Sequence, residues 1–279
     1  MNVRTALSLA INHLNQIGIE NPSLEARMLL AHAFEKNIEY ILINSSEELN
    51  QQKEECFSEL LRRRTNLEPI AYILGIKEFY GREFEVNNKV LIPRPATEIL
   101  VDTILTTNFK SPNILELGTG SGCIIITLLL EQQVSTAVAS DISLDALLVA
   151  EKNAVAYDVL DKLTLLQSDW LEKIEAQKFD IIISNPPYIS IEEQQYMAQE
   201  TLLFEPEIAL FSEEDGLQSY FAIAEKAKDF LAHEGKLFLE VGFQQASLVI
   251  DLFTKKNYKF EASYKDLSGY IRVVQFGIE

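Results

Sequence analysis

The sequence predicts an α/β protein in which a small helical bundle precedes a mostly parallel sheet of about seven strands with helices on both faces. Two observations predict this architecture. From Asn113 onward, segments rich in β-branched residues alternate with segments of helical periodicity, which is the pattern of a parallel sheet. Residues 1–65 show helical periodicity without strand-like stretches, so helices come first.

Two helix starts are indicated in the N-terminal part. Asn21 followed by Pro22 predicts an N-cap with proline in the first turn. Ser45 with Glu48 three residues later predicts a capping box for a helix that runs to about Arg64. The basic run of residues 62–64 then ends this helix, where cations favour the dipole, and docking of a partner is the alternative interpretation.

The pattern changes between Pro69 and Pro95. This stretch is rich in aromatic and β-branched residues and contains turn signals at Gly75 and Gly81, so it predicts a β-hairpin between two domains. We therefore expect a helical domain in residues 1–68, a hairpin linker in residues 69–95 and a sheet domain in residues 96–279.

Seven segments of the sheet domain read as strands. The last two face each other across a short connection, which predicts an antiparallel hairpin at the edge of the sheet. The predicted strands are Ile114 to Leu117, Thr136 to Ser140, Leu163 to Gln167, Phe179 to Ser184, Lys236 to Val241, Tyr258 to Tyr264 and Ile271 to Phe276.

The composition argues against several classes of protein. The net charge of −18 disfavours broad, nonspecific binding to nucleic acid. The longest apolar run, Cys123 to Leu130, is far shorter than the roughly 20 residues of a transmembrane helix. The N-terminus lacks the cleavage site of a secretory signal, so we expect a cytoplasmic protein without membrane contact. Two distant cysteines and three scattered histidines predict no metal site.

A glycine-rich turn follows the first strand of the predicted sheet. Gly118, Gly120 and Gly122 let the backbone approach a ligand closely, and the start of the next helix adds a positive field. Asp141 ends the second strand, where an acid can accept both hydroxyls of an adenosine ribose. The pair indicates an adenosine ligand without specifying which one. A turn without a ligand and an aspartate that only caps the next helix are the alternatives.

The third strand is followed by Asp169 and Trp170 at the same edge of the sheet. Asp169 is placed to accept a hydrogen bond from an adenine amino group, and Trp170 is placed to pack on the ring. An ordinary turn acid and a half-buried tryptophan remain open as the structural interpretation.

The fourth strand ends in the motif Asn-Pro-Pro-Tyr, residues 185–188, beside the same crevice. Methylation of an amide or aromatic amine is hard because the nitrogen lone pair is delocalised, so the enzyme must accept hydrogen bonds from the NH₂ group and aim its nitrogen. The Asn185 side-chain oxygen and the Pro186 carbonyl are the expected acceptors, and Tyr188 offers a flat face. The motif therefore favours a methyltransferase over a hydride-transfer enzyme, with a plain proline-terminated strand as the alternative.

With these motifs the chain resembles the HemK-like protein-(glutamine-N5) methyltransferases, which modify peptide chain release factors. The resemblance covers nearly the whole sequence. It rests on "EPIAYILGIKEFYGREFEV", "LIPRPATE", "LELGTGSG", "SNPPYI", "FEP" at residues 204–206 and the tail "YKDLSGYIRVV". Asn-Pro-Pro-Tyr alone is shared with nucleic-acid amino-methyltransferases, whereas its combination with the N-terminal helices and the proline-rich signature points to release factors.

The resemblance implies a class I, Rossmann-like methyltransferase fold and the transfer of a methyl group from S-adenosylmethionine to the glutamine amide of the Gly-Gly-Gln motif in class I release factors. S-adenosylhomocysteine would be the product, and we expect a monomer without direct nucleic-acid contact. Asn185, Pro186 and Tyr188 are the expected catalytic residues, and Pro187 completes the glutamine pocket. With Asp169 from the strand-end argument, the expected cofactor residues are Glu116, Gly118, Thr119, Gly120, Ser121, Gly122, Asp141, Asp169, Trp170 and Asn185.

Three positions depart from the family pattern. Ala96 replaces the glutamate of the Arg-Pro-Glu-Thr signature, whose carboxylate is either dispensable or supplied by Glu98. Glu116 replaces an aspartate and should still reach the methionine amino group of the donor, and Val241 stands where a histidine is common. The competing functions are an RNA or DNA amino-methyltransferase, which should carry a basic face, and a binding module that has lost activity.

Overall fold

The computed structural model describes residues 1–131 and 134–278, and it separates the chain into two units. The helical unit comprises Met1–Gly75 and Ala198–Phe204, and the sheet unit comprises Ile76–Met197 and Glu205–Glu279. Of the predicted hairpin linker, residues 69–75 belong to the helical unit and include a short helix, whereas the hairpin strands lie in the sheet unit. Its role as a connection stays a prediction. Among the described residues, no helix combines the length and apolar character that crossing a bilayer requires.

The helical unit packs its helices around one apolar core. Its members are α1 (Val3–Gln16), α2 (Pro22–Phe34), α3 (Ile38–Ile43), α4 (Gln51–Thr65), α5 (Ile70–Leu74) and α9 (Gln199–Phe204). Leu14, Leu29, Leu30, Ile41 and Phe57 are almost fully buried and form the centre of this core. Helix α2 begins at Pro22 as predicted, although the Asn21 side chain makes no capping hydrogen bond.

The predicted capping box at Ser45 and Glu48 is wrong. Helix α4 begins at Gln51, and its N-cap is Asn50, whose side-chain oxygen accepts from the Lys53 amide at 2.9 Å. The backbone before this helix bonds to the start of α1 instead, because the Ser45 carbonyl accepts from the Arg4 amide at 2.9 Å. The stretch that resembles a helix start therefore covers the beginning of α1.

The three arginines at the end of α4 all form ion pairs within the helical unit. Arg62 pairs with Glu59 and Arg63 with Glu68, each at 2.6 Å. Arg64, which is 3% exposed, pairs with Glu25 at 2.5 Å and with Glu200 at 2.8 Å. This pairing supports the structural interpretation of the basic run, because no guanidinium of the three is left for a partner.

The sheet unit contains one seven-stranded sheet and one hairpin. The hairpin strands are β1 (Ile76–Phe79) and β2 (Arg82–Glu85), and the sheet strands are β3 (Asn113–Leu117), β4 (Thr136–Asp141), β5 (Leu163–Gln167), β6 (Phe179–Ser184), β7 (Leu231–Glu240), β8 (Lys259–Lys265) and β9 (Ile271–Gly277). The order across the sheet is β5-β4-β3-β6-β7-β9-β8. Strands β3 to β7 are parallel, and β8 and β9 form the predicted antiparallel hairpin at the edge of the sheet. Strand β9 also pairs antiparallel with β7, which we did not predict.

Apolar residues cover both faces of the sheet, as a parallel sheet requires. On β3 and β6, Ile114 and Ile181 face one core, whereas Leu115 and Ile182 face the other. The helices of the unit are α6 (Glu98–Leu105), α7 (Cys123–Glu131), α8 (Leu144–Ala156), α10 (Glu213–Gly216), α11 (Gln218–Lys226) and α12 (Ala246–Lys255).

The hairpin of β1 and β2 is anchored on the first of these cores. Phe79 and Phe84 are buried there, with their ring centroids 6.2 Å apart. Tyr80 and Gly81 both have positive φ, which is the backbone of a two-residue hairpin turn. The glycine that signals the turn in the sequence thus lies at the second turn position.

Candidate active site

A cavity of about 320 Å³ opens at the carboxyl ends of the parallel strands. This is the edge at which open α/β sheets bind ligands. The turns after β3, β4, β5 and β6 all contribute to it. From these turns the lining residues are Gly118, Thr119, Gly120, Ser121, Asp141, Ser168, Asp169, Trp170, Asn185 and Pro187.

The turn after β3 presents bare backbone to the cavity. Gly118 and Gly120 have φ of +74° and +56°, a region that side chains with a Cβ adopt at a cost. A Cβ at either glycine would meet no atom within 4 Å, so the space beside both is open. The amides of Gly118 and Thr119 bond to the Ser140 carbonyl at 2.8 and 2.9 Å, which fixes this turn against β4.

Gly122 has a different role from the other two glycines. It does not line the cavity, and a Cβ there would lie 2.9 Å from the Ile126 side chain and 3.2 Å from the Cβ of Ala150. The residue therefore allows α7 to start close to α8. Asn153 on α8, which we did not predict from the sequence, donates to the Ser121 carbonyl at 2.8 Å and to the Glu85 carbonyl at 3.0 Å.

Asp141 accepts backbone hydrogen bonds on both carboxylate oxygens. Oδ2 accepts from the Gly120 amide and Oδ1 from the Ser143 amide, each at 2.9 Å. The N-cap of α8 is Ser143, not Asp141, because the Ser143 hydroxyl accepts from the Ala146 amide. Burial raises the pKa of Asp141, and the backbone donors limit that rise. Each carboxylate oxygen keeps a second lone pair for a ligand in the cavity.

Glu116 lies beneath the glycine turn and does not line the cavity. It is fully buried, and its Oε2 accepts the hydroxyl proton of Thr119. In the part of the chain that the structure describes, its Oε1 has no hydrogen-bond partner. Burial raises the pKa of Glu116 to about 8, and the nearby Asp141 carboxylate adds to the rise. Its predicted contact with the donor's amino group stays a prediction.

Asp169 and Trp170 both line the cavity, with Asp169 exposed and Trp170 half-buried. Trp170 has φ of +46°, which is an outlier for a bulky side chain. Such strain often marks a functional position, because the surrounding structure has to hold the residue there. The same backbone region occurs at other turns of this structure, such as those at Leu67 and Tyr80, so the roles predicted for Asp169 and Trp170 stay predictions.

Only two residues of the Asn-Pro-Pro-Tyr motif line the cavity. Asn185 and Pro187 line the cavity, whereas Pro186 is buried and Tyr188 packs against the second sheet core. The Asn185 Nδ2 donates to the Thr97 hydroxyl at 3.3 Å, and the Tyr188 hydroxyl donates to Glu240 Oε1 at 3.4 Å. The predicted stacking of a substrate on the Tyr188 ring stays a prediction.

Tyr188 is held by residues from the far end of the sequence. The Gln245 side-chain amide donates to the Tyr188 carbonyl at 2.9 Å. Gly216 and Gly242 make room for it, since a Cβ would lie 2.3 Å from the Tyr188 carbonyl oxygen in one case and 2.9 Å from its ring in the other. At Gly242 the Gln245 side-chain oxygen would lie nearer still, at 2.4 Å, so a side chain there would disturb both Tyr188 and the residue that holds it.

A segment after the motif closes another wall of the cavity. Ile208, Phe211 and Ser212 line it, and this segment pairs with Ile189 through backbone bonds of 2.9 and 3.1 Å. Glu205, which is 5% exposed, accepts from Arg94 at 2.6 Å and thereby ties the "FEP" stretch to the proline-rich signature.

Glu98 is the acid of the proline-rich signature "LIPRPATE", and its contacts show what it does. Glu98 Oε1 accepts from the Tyr80 amide at 2.8 Å, and Glu98 does not line the cavity. Glu98 therefore anchors the hairpin, and its role as a substitute for the family glutamate that Ala96 replaces stays a prediction. Thr97, which we did not single out from the sequence, does line the cavity.

Two family models match this chain. The model described as the PrmC N-terminal domain matches residues 5–75, and the one described as the methyltransferase small domain matches residues 94–216. A bifunctional methyltransferase of Rickettsia conorii is 49% identical over 99% of this chain, which spans only 57% of that relative. A release factor glutamine methyltransferase of Neisseria gonorrhoeae is 40% identical over 90% of this chain and 92% of its own length.

Among solved structures, a methyltransferase of Pyrococcus furiosus matches with a TM-score of 0.53 at 18% identity. The match covers 78% of this chain and 98% of that one. At this identity the likeness concerns the fold alone. Together with the family models it confirms the predicted class I methyltransferase fold, and the relatives confirm the resemblance seen in the sequence.

Proposed function

We propose that this chain methylates the side-chain amide nitrogen of the glutamine in the Gly-Gly-Gln motif of class I release factors. The basis of the proposal is that the chain belongs to the family of release factor glutamine methyltransferases. S-adenosylmethionine supplies a methyl group activated by its sulfonium and leaves as S-adenosylhomocysteine. The glutamine nitrogen gains the methyl group and loses one proton to solvent. The chain spans about half the length of the bifunctional relatives it matches, so the proposed activity is that of these 279 residues.

One observation supports this proposal above the others. Asn185 and Pro187 line the same cavity as Gly118, Gly120 and Asp141. The proposed nucleoside site and one proposed amide acceptor, Asn185, thus share one space, as methyl transfer between a bound donor and an amide requires.

The cavity residues fit an adenosine-containing donor. The open space beside Gly118 and Gly120 lets a ligand approach the backbone, and the second lone pairs of Asp141 can accept ribose hydroxyl protons. Trp170 and Asp169 line the same cavity, and they are proposed to offer an adenine ring an apolar face and its amino group an acceptor. The residues proposed to bind the methyl donor are the ones named from the sequence. Among them, Gly122 acts by letting α7 start close to α8.

Asn185 and Pro186 are proposed to orient the glutamine amide. Their oxygens accept the two protons of the NH₂ group, which fixes the amide plane so that the nitrogen lone pair, perpendicular to that plane, faces the methyl group. Both acceptors stand on the stiff end of β6, so little reorganisation is needed at the moment of transfer. The chemistry needs no general base, because the nitrogen sheds its proton after methylation.

The remaining proposals concern the partner and the setting. We propose that residues 1–68 help to hold the release factor, that residues 69–95 link the two domains, and that residues 96–279 perform the transfer. The match of the PrmC N-terminal domain to residues 5–75 supports the first of these. A monomer that acts on a protein in the cytoplasm, without direct contact to nucleic acid, is consistent with the net charge of −18.

The proposal is tested by incubating the chain with S-adenosylmethionine and an unmethylated class I release factor, followed by peptide mass spectrometry. We expect a gain of one methyl mass on the Gly-Gly-Gln glutamine. A release factor with that glutamine changed to asparagine is the matched control and should gain none. Absence of the gain while the donor binds would contradict the proposal, and methylation of a supplied RNA instead would favour the amino-methyltransferase alternative.

A further inference from the structure

The side chain of Asn153 on α8 joins two walls of the cavity. It is 2% exposed, and both ends of its amide bond to the backbone. Nδ2 donates to the Ser121 carbonyl at 2.8 Å and to the Glu85 carbonyl at 3.0 Å. Oδ1 accepts from the Glu85 amide at 2.7 Å. One amide thus holds a residue of the glycine-rich turn and the last residue of β2.

These hydrogen bonds fit an asparagine in one orientation only. The oxygen and the nitrogen of the side chain have nearly the same shape, so the partners decide which is which. A backbone N–H group meets one end of Asn153, and two carbonyl oxygens meet the other. A carboxylate of the same shape could accept from Glu85 but could donate to neither carbonyl. The contacts therefore match an amide and not an aspartate.

The bond to Ser121 restrains the later part of the glycine-rich turn. Backbone hydrogen bonds to β4 hold the beginning of this turn. Gly118 and Gly120 follow with positive φ, and glycines have wide conformational freedom. The Gly120 amide bonds to Asp141, which is itself a proposed ligand residue, and the next carbonyl bonds to Asn153. Asn153 thus restrains the turn where Ser121 lines the cavity.

The bonds to Glu85 act on a second wall. Strand β2 ends at Glu85, and Asn153 takes both its amide and its carbonyl, as a neighbouring strand would. The chain then runs directly to the cavity. The residues of this segment that line it are Lys89, Val90, Leu91, Pro93 and Arg94.

We propose that Asn153 is a positioning residue that holds the glycine-rich turn in the conformation that binds the methyl donor. Asn153 does not line the cavity, so it acts through Ser121. Without this bond the turn would sample other conformations, and the donor would bind only the fraction of molecules with the right one. The inference rests on the proposed function, because that function places the donor at this turn.

Tyr157 offers a matched control for the loss of a bond between α8 and the hairpin. It directly follows the last residue of α8, one helical turn after Asn153. Its hydroxyl donates to the Glu83 carbonyl on β2 at 2.7 Å. Removal of this hydroxyl loosens the hairpin and leaves the bond between Asn153 and Ser121 in place.

The test compares Asn153→Ala with Tyr157→Phe by calorimetric titration with S-adenosylmethionine, without a release factor. Asn153→Ala should raise the Kd of the donor about tenfold, as expected for one lost hydrogen bond. Tyr157→Phe should leave the Kd within about twofold of the wild type. An equal rise in both variants would assign the effect to the hairpin. That result, or an unchanged Kd in Asn153→Ala, would overturn the inference.

Turnover separates positioning of the donor from a general loss of structure. In Asn153→Ala, kcat at saturating donor should fall by less than the Kd rises, because the proposed amide acceptors stand on β6. A variant that only misfolds in part would lose kcat while its folded fraction kept the wild-type Kd. That outcome would overturn the inference.

A further measurement uses the wild type and does not depend on how a variant folds. The side-chain NH₂ protons of ¹⁵N-labelled Asn153 should exchange with solvent about fivefold more slowly when S-adenosylmethionine is bound, because the donor holds the turn to which they bond. Asn44, which donates to the Tyr40 carbonyl at 2.9 Å in the helical unit, is the control and should not change. Equal rates for Asn153 with and without the donor would overturn the inference.

These results are distinct from a failure of the proposed function. A wild-type protein that binds the donor but leaves the Gly-Gly-Gln glutamine unmethylated would contradict the proposed function. The Kd values and the exchange rates would still decide the inference, since neither measurement uses a release factor.

Discussion

The two units of this protein treat buried charge in opposite ways. In the helical unit, Arg64 is almost fully buried and meets two carboxylates, Glu25 and Glu200, at 2.5 and 2.8 Å. In the sheet unit, Glu116 and Glu240 are buried as deeply, yet among the described residues each has one carboxyl oxygen without a hydrogen-bond partner. Burial raises their pKa values to about 8 and about 7.

The difference teaches which charges serve the fold and which serve the site. A matched buried charge holds elements together, and its loss should appear in stability. A half-matched carboxyl group lowers stability and is tolerated where an acceptor is needed. Glu116 lies at the carboxyl end of β3, beneath the turn that lines the cavity, and Glu240 ends β7 beside the Tyr188 hydroxyl. Changes in the two units should therefore separate into losses of stability and losses of function.

The largest effect is expected in the helical unit. Arg64→Met leaves two carboxylates without their cation, and the free energy of unfolding should fall by about 4 kcal/mol, as for other broken buried pairs. Urea unfolding measures it. Arg62→Met is the control, because the Arg62 pair with Glu59 is exposed and should leave the unfolding midpoint unchanged. Equal midpoints for both variants would refute the matched-charge interpretation of Arg64.

The next effect belongs to the sheet unit and should leave stability almost unchanged. Asn185→Ala removes one amide acceptor, and kcat should fall by the equivalent of about 3 kcal/mol of transition-state stabilisation. The Kd of the donor should change little. Turnover by the methylation assay and donor binding by calorimetry measure the two quantities, with the exposed Asn12→Ala as control. Unchanged turnover would refute the proposed mechanism.

The raised pKa of Glu116 predicts that the stability of the protein depends on pH. Its folded pKa of about 8 lies above the ordinary value of 4.5, so the native state retains a proton that the unfolded state loses in this window. Stability therefore falls as the pH rises, by about 2 kcal/mol between pH 6 and pH 8, and Glu116→Gln should lack that loss. The comparison is made by urea unfolding without donor. The exposed Glu175→Gln should keep the wild-type slope.

Asp141 is an intermediate case, since backbone amides satisfy both of its oxygens while it also lines the cavity. Asp141→Ala should raise the Kd of the donor by the equivalent of about 1.5 kcal/mol, the low end for a bond to a charged group. Binding calorimetry measures it, and the exposed Asp161→Ala serves as control. A Kd equal to that of the wild type would dismiss the ribose contact.

Much of the sheet could be predicted because its strands are largely apolar. The predicted strands from Leu163 to Gln167 and from Phe179 to Ser184 agree with β5 and β6, and most other ends differ by one residue. The exception is β7, which begins at Leu231 and not at Lys236. Phe179 pairs with Leu231 whereas residue 181 pairs with residue 236, so residues 232–235 bulge out of register. The polar sequence of this bulge resembles a turn.

The site was predicted in part for a similar reason. Its glycines, Asp141 and Asn185 follow strand ends directly, so their place is set by local sequence. Thr97 and Glu240 were missed because their partners are distant along the chain: Asn185 is 88 positions from Thr97, and Tyr188 is 52 positions from Glu240. One signal was present in the sequence. Glu116 and Glu240 are both acids with apolar residues directly before and after them.

Helix α9 has a consequence for how this protein can change during evolution. Residues 198–204 belong to the helical unit, although they come more than a hundred positions after Gly75 in the sequence. An exchange of the first 75 residues between relatives would therefore separate Arg64 from Glu200, its ion-pair partner in the same chain. We expect substitutions at these two positions to occur together, so that the N-terminal helices are inherited with a distant heptapeptide and not as an independent module.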